Sequence, residues 1–295
     1  MRALAILGVL FAHDQPWKFG TFSLEAWQPF GGMGVGLFFA ISGFLITTRI
    51  LEDEKKSGQF RLKSFYIRRL FRIQPALLVY LAVIALLTAI GTLPEAWHYI
   101  VGALVLFRNF QHNNVVPFHG MFTGHFWTLS VEEHFYLLLS LFLFYVTRRR
   151  ILGLTLLITG IFFLQYLLMR HQHFFQPTDR DTYMVLPFLL IPSLLALVVK
   201  QPLPHHVASR WLRPWVSLLV VAALLVLDCL RRTHGHLPDP HGFFVKEGIS
   251  LSYCFPVFII AIVFHPRSFT TRFLELPLLR WVGRLSYSLY LWHVL

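Results

Sequence analysis

The sequence predicts an all-α, polytopic bundle of transmembrane helices with about nine to ten membrane segments, because a spanning helix needs roughly 20 apolar residues. Hydrophobic residues make up 56% of the 295 positions. Apolar stretches recur along the whole chain, separated by short joints that are polar, arginine-rich or contain proline. Little sequence is left for a soluble domain, so we expect residues 1–295 to form one membrane domain.

The individual spans follow from the apolar stretches in chain order. The predicted spans are Ala3–Ala12, Gly34–Ile50, Pro75–Leu93, Phe126–Thr147, Ile151–Met169, Tyr183–Val199, Trp215–Leu230, Ile249–Phe264 and Trp281–Leu295. A tenth segment, Trp97–Phe107, is short and is expected to be re-entrant or interfacial. The first span is short and the last has no polar flank, so we expect the chain to be truncated at both ends.

The positive charges give the orientation of the spans. The net charge is +12, but the arginines lie beside apolar spans, which is typical of a membrane protein and argues against nucleic acid as a partner. Seven Lys or Arg residues fall between Glu52 and Arg72, so this loop is predicted to be cytoplasmic. The Arg148–Arg150 triplet also faces inward if Trp97–Phe107 does not cross, which favours nine crossings over ten. The expected location is the cell (inner or plasma) membrane, with the lipid bilayer as a partner.

Two adjacent carboxylates, Glu132 and Glu133, lie in the otherwise apolar span Phe126–Thr147. A carboxylate at the bilayer centre costs about 2.5–3.5 kcal/mol, so both should face protein or a wet cavity. Glu132 shares a helix face with Tyr136, whereas Glu133 lies nearer Ser130, and only one carboxylate is expected to point at a given site. They could orient an imidazole or bind a sugar hydroxyl. Alternatively, they hold two helices together.

Other candidate residues lie in and around the first three spans. Arg2 and His13 are almost three helical turns apart, so they project from one face about 16 Å apart; alternatively they are an interfacial anchor and a helix-end residue. Arg69 and Arg72 have i,i+3 spacing that suits either a phosphate-bearing cofactor such as a coenzyme A thioester or lipid headgroups. Ser42 lies in a glycine-rich span and has no base at a helical neighbour position, which argues against a nucleophile.

Five segments in order resemble the membrane-bound acyltransferase family 3. They are Arg2-x10-His13, Gly34-Val-Gly-Leu-Phe-Phe-Ala-Ile-Ser-Gly-Phe-Leu45, Phe65-Tyr-Ile-Arg-Arg-Leu-Phe-Arg72, His125-Phe-Trp-Thr-Leu-Ser-Val-Glu-Glu-His-Phe-Tyr136 and Ser286-Tyr-Ser-Leu-Tyr-Leu-Trp-His293. In order along the chain, they extend from residue 2 to residue 293. The family's Trp-Ser-Leu-Ser motif is Trp127-Thr-Leu-Ser130 here, which keeps a hydroxyl.

The resemblance implies an O-acyltransferase that uses acyl-CoA, expected to be acetyl-CoA, as a co-substrate and a saccharide or glycoside as the acceptor. It implies His13 as general base with Arg2 as its partner, and Arg69 and Arg72 at the acyl donor; an acyl-histidine intermediate is the alternative to direct transfer. We place Ser42 with the donor, Glu132 and Glu133 with the catalytic residues, and a further group with the substrate: Trp127, Ser130, Tyr136 and His293.

The sequence is also compatible with two other functions, and it predicts no metal site. One rival is a proton-coupled membrane transporter of glycans or acyl groups, in which His13, Glu132 and Glu133 relay protons. The other is an inactive membrane scaffold. No metal site is expected, because the fifteen histidines are scattered without a carboxylate framework of suitable spacing.

Overall fold

The computed structural model describes residues 1–13, 28–111, 120–170, 180–200 and 254–295, together with residues 215 and 219. These residues form α-helices and a short 3-10 helix, with no strand among them, so the all-α prediction is confirmed. The α-helices, numbered in chain order, are α1 (Arg2–His13), α2 (Gln28–Ser57), α3 (Leu62–Ala89), α4 (Trp97–Leu104), α5 (Met121–Gly124), α6 (Phe126–Tyr145), α7 (Arg150–Arg170), α8 (Thr182–Val185), α9 (Pro187–Val199), α10 (Phe255–Phe264), α11 (Phe269–Leu274) and α12 (Pro277–Trp292). The 3-10 helix is Arg108–Phe110.

Several described helices are suited to a lipid environment. Three segments are long and apolar enough to cross a membrane, namely Gly31–Ser57, Leu62–Ala89 and Arg150–Leu168. Shorter apolar helices are Arg2–Phe11, Pro187–Val199 and Phe255–Phe264. The predicted span Trp215–Leu230 lies outside the described residues apart from 215 and 219. The count of nine or ten crossings therefore stays a prediction.

Several helices have boundaries that differ from the predicted spans, and α2 extends beyond Gly34–Ile50 at both ends. The third span was expected to begin at Pro75, but α3 begins at Leu62 and carries Pro75 inside it, so the arginine-rich segment is the first part of the same helix. Helix α3 ends at Ala89, just before Gly91 takes a left-handed conformation at φ +76°. The predicted span Tyr183–Val199 is divided before Pro187, which has no N–H to continue the hydrogen-bond ladder. The last helix begins at Pro277 rather than Trp281.

The chain divides into two compact units. Unit 1 comprises Met1–Leu45 and Ile191–Tyr290. Its described core brings α1, α2, α9 and α10 together through buried apolar side chains: Ala5, Met33, Leu37, Ala40, Ile41, Phe44, Ala196, Phe255, Ile259 and Ile260. The backbones of α1 and α2 approach closely at Gly34, where an added Cβ atom would lie 2.5 Å from the carbonyl oxygen of Ala5. Small residues permit such close approach of helices in membranes.

Unit 2 comprises Ile46–Leu190 and Leu291–Leu295 and contains the antiparallel pair α3 and α6. The hydroxyls of Tyr66 and Ser140 lie 2.6 Å apart. Further along α3, the hydroxyl of Tyr80 donates to the carbonyl oxygen of Phe122, just before α6, at 2.7 Å, and its ring packs on that of Phe126. Position 66 of α3 therefore lies beside position 140 of α6, and position 80 lies beside position 126, so the two helices run antiparallel. This register fixes which polar groups of the two helices meet.

Candidate functional site

The polar centre of the α3–α6 pair joins Arg69 to both carboxylates of α6. The Nε atom of Arg69 donates to Oε1 of Glu133 at 3.3 Å, and its Nη2 atom lies 3.9 Å from Oε2 of Glu132. The side chains are shielded, with 11% of the Arg69 side chain and 19% of each carboxylate side chain exposed. The three charges therefore interact where water screens them weakly.

Both carboxylates meet one guanidinium, contrary to the expectation that only one of them could point at a given site. Glu132 and Glu133 are adjacent on α6 and diverge by roughly a hundred degrees around the helix axis. The planar guanidinium presents donors along several edges and spans that divergence. Helical periodicity correctly predicts that the two glutamate side chains leave α6 in different directions. It does not take into account that the long Arg69 side chain on α3 can contact both.

Tyr136 completes the centre as its fourth member. Its hydroxyl donates to Oε2 of Glu132 at 2.8 Å, as the i,i+4 spacing of the two residues predicts. Its ring lies beneath the guanidinium of Arg69, an arrangement that favours the cation. Tyr136 is buried, with 1% of its surface exposed. It therefore helps to hold both the arginine and one carboxylate in place.

The charge balance distinguishes Arg69 from Arg72. Two carboxylates surround Arg69, which leaves little net attraction for an additional phosphate. Arg72 is exposed and makes no ion pair with the described residues. The neighbouring Arg68 is paired with Asp53. In the motif that was predicted to serve the donor, the geometry suits Arg69 to positioning carboxylates and leaves Arg72 available to an anion.

The other donor and base candidates belong to unit 1. Arg2 and His13 are the first and last residues of the continuous helix α1, so their backbone positions share one face as the spacing predicts. Arg2 is half-buried. The side chain of His13 lies outside the described part of the structure. Ser42 is buried within α2. Their chemical roles stay predictions.

The remaining substrate candidates belong to unit 2 and differ in accessibility. Trp127 is half-buried, and the guanidinium carbon of Arg180 lies 6.0 Å from its ring centroid. Ser130 is fully buried, and its hydroxyl donates to the carbonyl oxygen of Phe126 at 3.0 Å. The ring of His293 packs edge-on against that of His125 with centroids 5.1 Å apart. The last residues of the chain thus contact the beginning of α6.

A second polar cluster, centred on Arg108, was not predicted from the sequence. Arg108 is 2% exposed and donates to the hydroxyl of Thr123 at 3.2 Å and to the carbonyl oxygens of Gln111 and Gly120 at 2.6 and 2.9 Å. The Thr123 hydroxyl donates in turn to Glu95 at 2.6 Å. Two charged residues flanking the short apolar segment Trp97–Phe107 were the only signal in the sequence. The cluster joins both sides of residues 112–119.

The ionisation of Glu95 is governed by opposing influences. Burial raises the pKa of the Glu95 carboxyl above its ordinary value. Hydrogen bonds from the Thr123 hydroxyl and the Phe122 amide, together with the charge of Arg108, favour the ionised form. The balance makes Arg108 the cationic partner of a carboxyl that is costly to bury charged. Arg108 is therefore expected to stabilise unit 2, in which it bonds to both Gln111 and Gly120.

Replacing Arg108 with lysine is expected to lower the free energy of unfolding by about 2–3 kcal/mol, because lysine keeps the charge but cannot reproduce the forked hydrogen bonds. The measurement is unfolding of the purified chain in mixed micelles with increasing dodecyl sulfate. The exposed Arg170 at the end of α7 provides the matched control. Equal effects of Arg108→Lys and Arg170→Lys would contradict a structural role for the forked contacts.

Metal binding finds no support in the described ranges. Among those residues, no three His, Cys, Asp or Glu side chains lie close enough together to hold a metal ion. Cys254, the described cysteine, is partly buried. The polar groups of the described sites are carboxylates, guanidiniums, imidazoles and hydroxyls.

The comparisons with known proteins agree with this set of segments. Residues 1–295 match a family model described as an acyltransferase domain. The O-acetyltransferase OatA of Staphylococcus aureus strain NCTC 8325 and that of strain COL are each 28% identical over 99% of this chain. The chain spans about half the length of these curated relatives, 49% in each case. No solved structure matches the chain. Because the family match extends from the first residue to the last, the chain belongs to acyltransferase family 3.

Proposed function

We propose that this chain is an integral membrane O-acyltransferase. It transfers an acyl group from cytoplasmic acyl-CoA to a hydroxyl of an extracytoplasmic saccharide or glycoside, and the acyl group is acetyl. The family match and the O-acetyltransferase relatives support acyl transfer. They do not favour the transporter alternative. The proposal also adopts the sequence-derived topology of nine crossings with a cytoplasmic Glu52–Arg72 segment, and a location in the plasma membrane.

The observation that carries the proposal is the charged centre formed by Arg69, Glu132, Glu133 and Tyr136. Shielded carboxylates fixed by an arginine and a tyrosine form a rigid polar site between two largely apolar helices. A rigid site can orient a hydroxyl substrate or an imidazole without reorganising during the reaction. Two adjacent carboxylates are costly to keep in a membrane helix, which favours a role for them in function over helix packing alone.

The proposed reaction is a direct transfer. A neutral imidazole of His13 takes the proton of the acceptor hydroxyl while its oxygen attacks the thioester carbonyl carbon. The carbon–sulfur bond then breaks, and the leaving coenzyme A thiolate takes the proton from the His13 imidazolium, which returns His13 to its neutral form. The products are the O-acyl ester and free coenzyme A. In this scheme Arg2 assists His13, Arg72 binds donor phosphate, and Arg69 positions the two glutamates.

Four further residues have proposed places in the reaction. Trp127, Ser130 and His293 help to shape the acceptor site, together with Tyr136. Ser42 is assigned to the donor in this proposal. It is buried within α2. Acyl-CoA acts as a co-substrate rather than a resident cofactor.

The decisive test is transfer of radiolabelled acetyl from acetyl-CoA to the glycan fraction of membranes that express the chain. Replacing His13 with alanine is expected to reduce labelling by at least about a hundredfold, the scale of losing a general base. The exposed His98 serves as a matched control, and His98→Ala should retain labelling at the same protein level. Label that persists in His13→Ala would refute the assigned base. Proton-coupled glycan uptake without a labelled product would instead support a transporter.

A further inference from the structure

A small surface cavity in unit 1 is formed by the first two turns of α12. It has a volume of about 190 Å³ and is lined by Pro277, Arg280, Trp281 and Arg284. The two arginines are four residues apart and therefore project from the same side of the helix, with Trp281 between them in sequence. The cavity thus has two cationic forks and an indole ring, and no residue assigned to the acyl transfer reaction contributes to it.

The rotation of α12 is fixed by its packing against the rest of unit 1. An added Cβ atom at Gly283 would lie 3.6 Å from the backbone nitrogen of Ala3, so this side of α12 faces α1. Ser286 is buried, and the ring of Tyr290 packs edge-on against that of Phe38 with centroids 6.3 Å apart. Helical periodicity places Trp281 opposite this face of α12, and Arg280 and Arg284 on the flank between the two. These three residues are exposed.

The two arginines of the cavity carry charge that no described carboxylate neutralises. The ion pairs of the described structure involve Arg68, Arg69 and Arg150. Neither Arg280 nor Arg284 contacts an acidic group within the described ranges. The contrast with Arg69, which two carboxylates surround, is direct. Unneutralised guanidiniums at one site attract anions, and their paired donors fit the oxygen atoms of phosphate.

We propose that this cavity, the α12 arginine site, binds a phosphate group through Arg280 and Arg284. Trp281 provides an adjacent flat, apolar surface. The exposed Leu276 and Leu278 beside the cavity, with Trp281, fit the boundary between lipid and water. The proposed topology puts this end of α12 on the cytoplasmic side. Two ligands supply phosphate there, anionic phospholipid headgroups and coenzyme A, and this assignment rests on the topology adopted with the proposed function.

The test uses the full chain reconstituted in nanodiscs and has one arm for each source of phosphate. The first arm measures binding of radiolabelled coenzyme A in nanodiscs of phosphatidylcholine alone. The second measures, by native mass spectrometry, how strongly phosphatidylglycerol is retained over phosphatidylcholine when both are present. Each arm compares wild type with the double variant Arg280→Gln/Arg284→Gln. The control is Arg267→Gln/Arg272→Gln, which removes the same charge from exposed arginines outside the cavity.

The proposal expects the Arg280→Gln/Arg284→Gln variant to lose roughly tenfold or more of its affinity in one arm, because each arginine provides charge-assisted hydrogen bonds. The control variant should stay close to wild type. A selective loss for coenzyme A identifies a nucleotide phosphate, and a selective loss for phosphatidylglycerol identifies a lipid headgroup. Equal effects of the two double variants would reduce the cavity to general surface charge and overturn the proposal. Wild-type binding in both arms by the cavity variant would also overturn it.

Discussion

Replacement of Arg69 with glutamine is expected to lower the free energy of unfolding by about 3 kcal/mol, because it leaves two shielded carboxylates without their cation. Glu132 would keep the Tyr136 hydroxyl, while Glu133 would lose its donor at 3.3 Å. Repulsion between neighbouring charges in a poorly screened environment would then push the two carboxylates apart. Acetyl transfer should fall about a hundredfold, as it does when a reacting group is misplaced by about 1 Å.

Arg72→Gln provides the matched control for Arg69→Gln within the same motif. Arg72 is exposed and pairs with no described acidic group. This variant should keep the wild-type unfolding midpoint in mixed micelles. If Arg72 binds donor phosphate as proposed, the KM for acetyl-CoA rises while kcat changes little, which is the pattern of lost ground-state binding.

The two arginine variants together discriminate between the roles assigned to the motif. A loss of kcat and stability at position 69, with a change confined to KM at position 72, is the expected result. If Arg69→Gln instead raised only KM and left stability intact, Arg69 would bind the donor directly and the glutamates would not depend on it. That result would overturn its positioning role.

The existence of helices α3 and α6 could be predicted from the sequence, but the contacts between them could not. Hydropathy correctly places a helix over most of each predicted span, because lipid-compatible helices require long apolar runs. The beginning of α3 was missed because Pro75 was interpreted as a boundary, whereas proline inside a helix removes one hydrogen bond without necessarily ending it. The meeting of Arg69 with both glutamates depends on the register between two helices, which periodicity within each helix does not specify.

The Arg108 cluster shows a different limit of the sequence. Its parts lie in short helices and turns, and most acceptors for Arg108 are backbone carbonyl groups, which have no residue-specific signature. Gly120 takes a left-handed conformation at φ +84° where its carbonyl group receives Arg108. A charged residue beside an apolar segment can equally be a solvated flank, so only the fold distinguishes a buried bridge from a surface charge.

Gly34→Ala in α2 is expected to lower the free energy of unfolding by about 2–3 kcal/mol, the upper part of the range for overpacking a well-packed contact. The added Cβ atom would lie 2.5 Å from the carbonyl oxygen of Ala5 and 3.1 Å from a methyl group of Val9. A backbone carbonyl group cannot rotate away as a flexible side chain can, so α1 and α2 must move apart. Because α1 carries Arg2 and His13, acetyl transfer should fall along with stability.

Gly160→Ala in α7 has the opposite expected sign and makes the Gly34 prediction specific. Nothing lies within 4 Å of an added Cβ atom there, so the variant should gain up to about 1 kcal/mol from the better helix propensity of alanine. Gly34→Ala receives the same propensity gain, and the difference between the two variants therefore isolates the helix contact. Unfolding midpoints in mixed micelles measure both variants. If Gly34→Ala were as stabilising as Gly160→Ala, α1 and α2 would not be in backbone contact, and the activity loss expected from a displaced α1 would lose its basis.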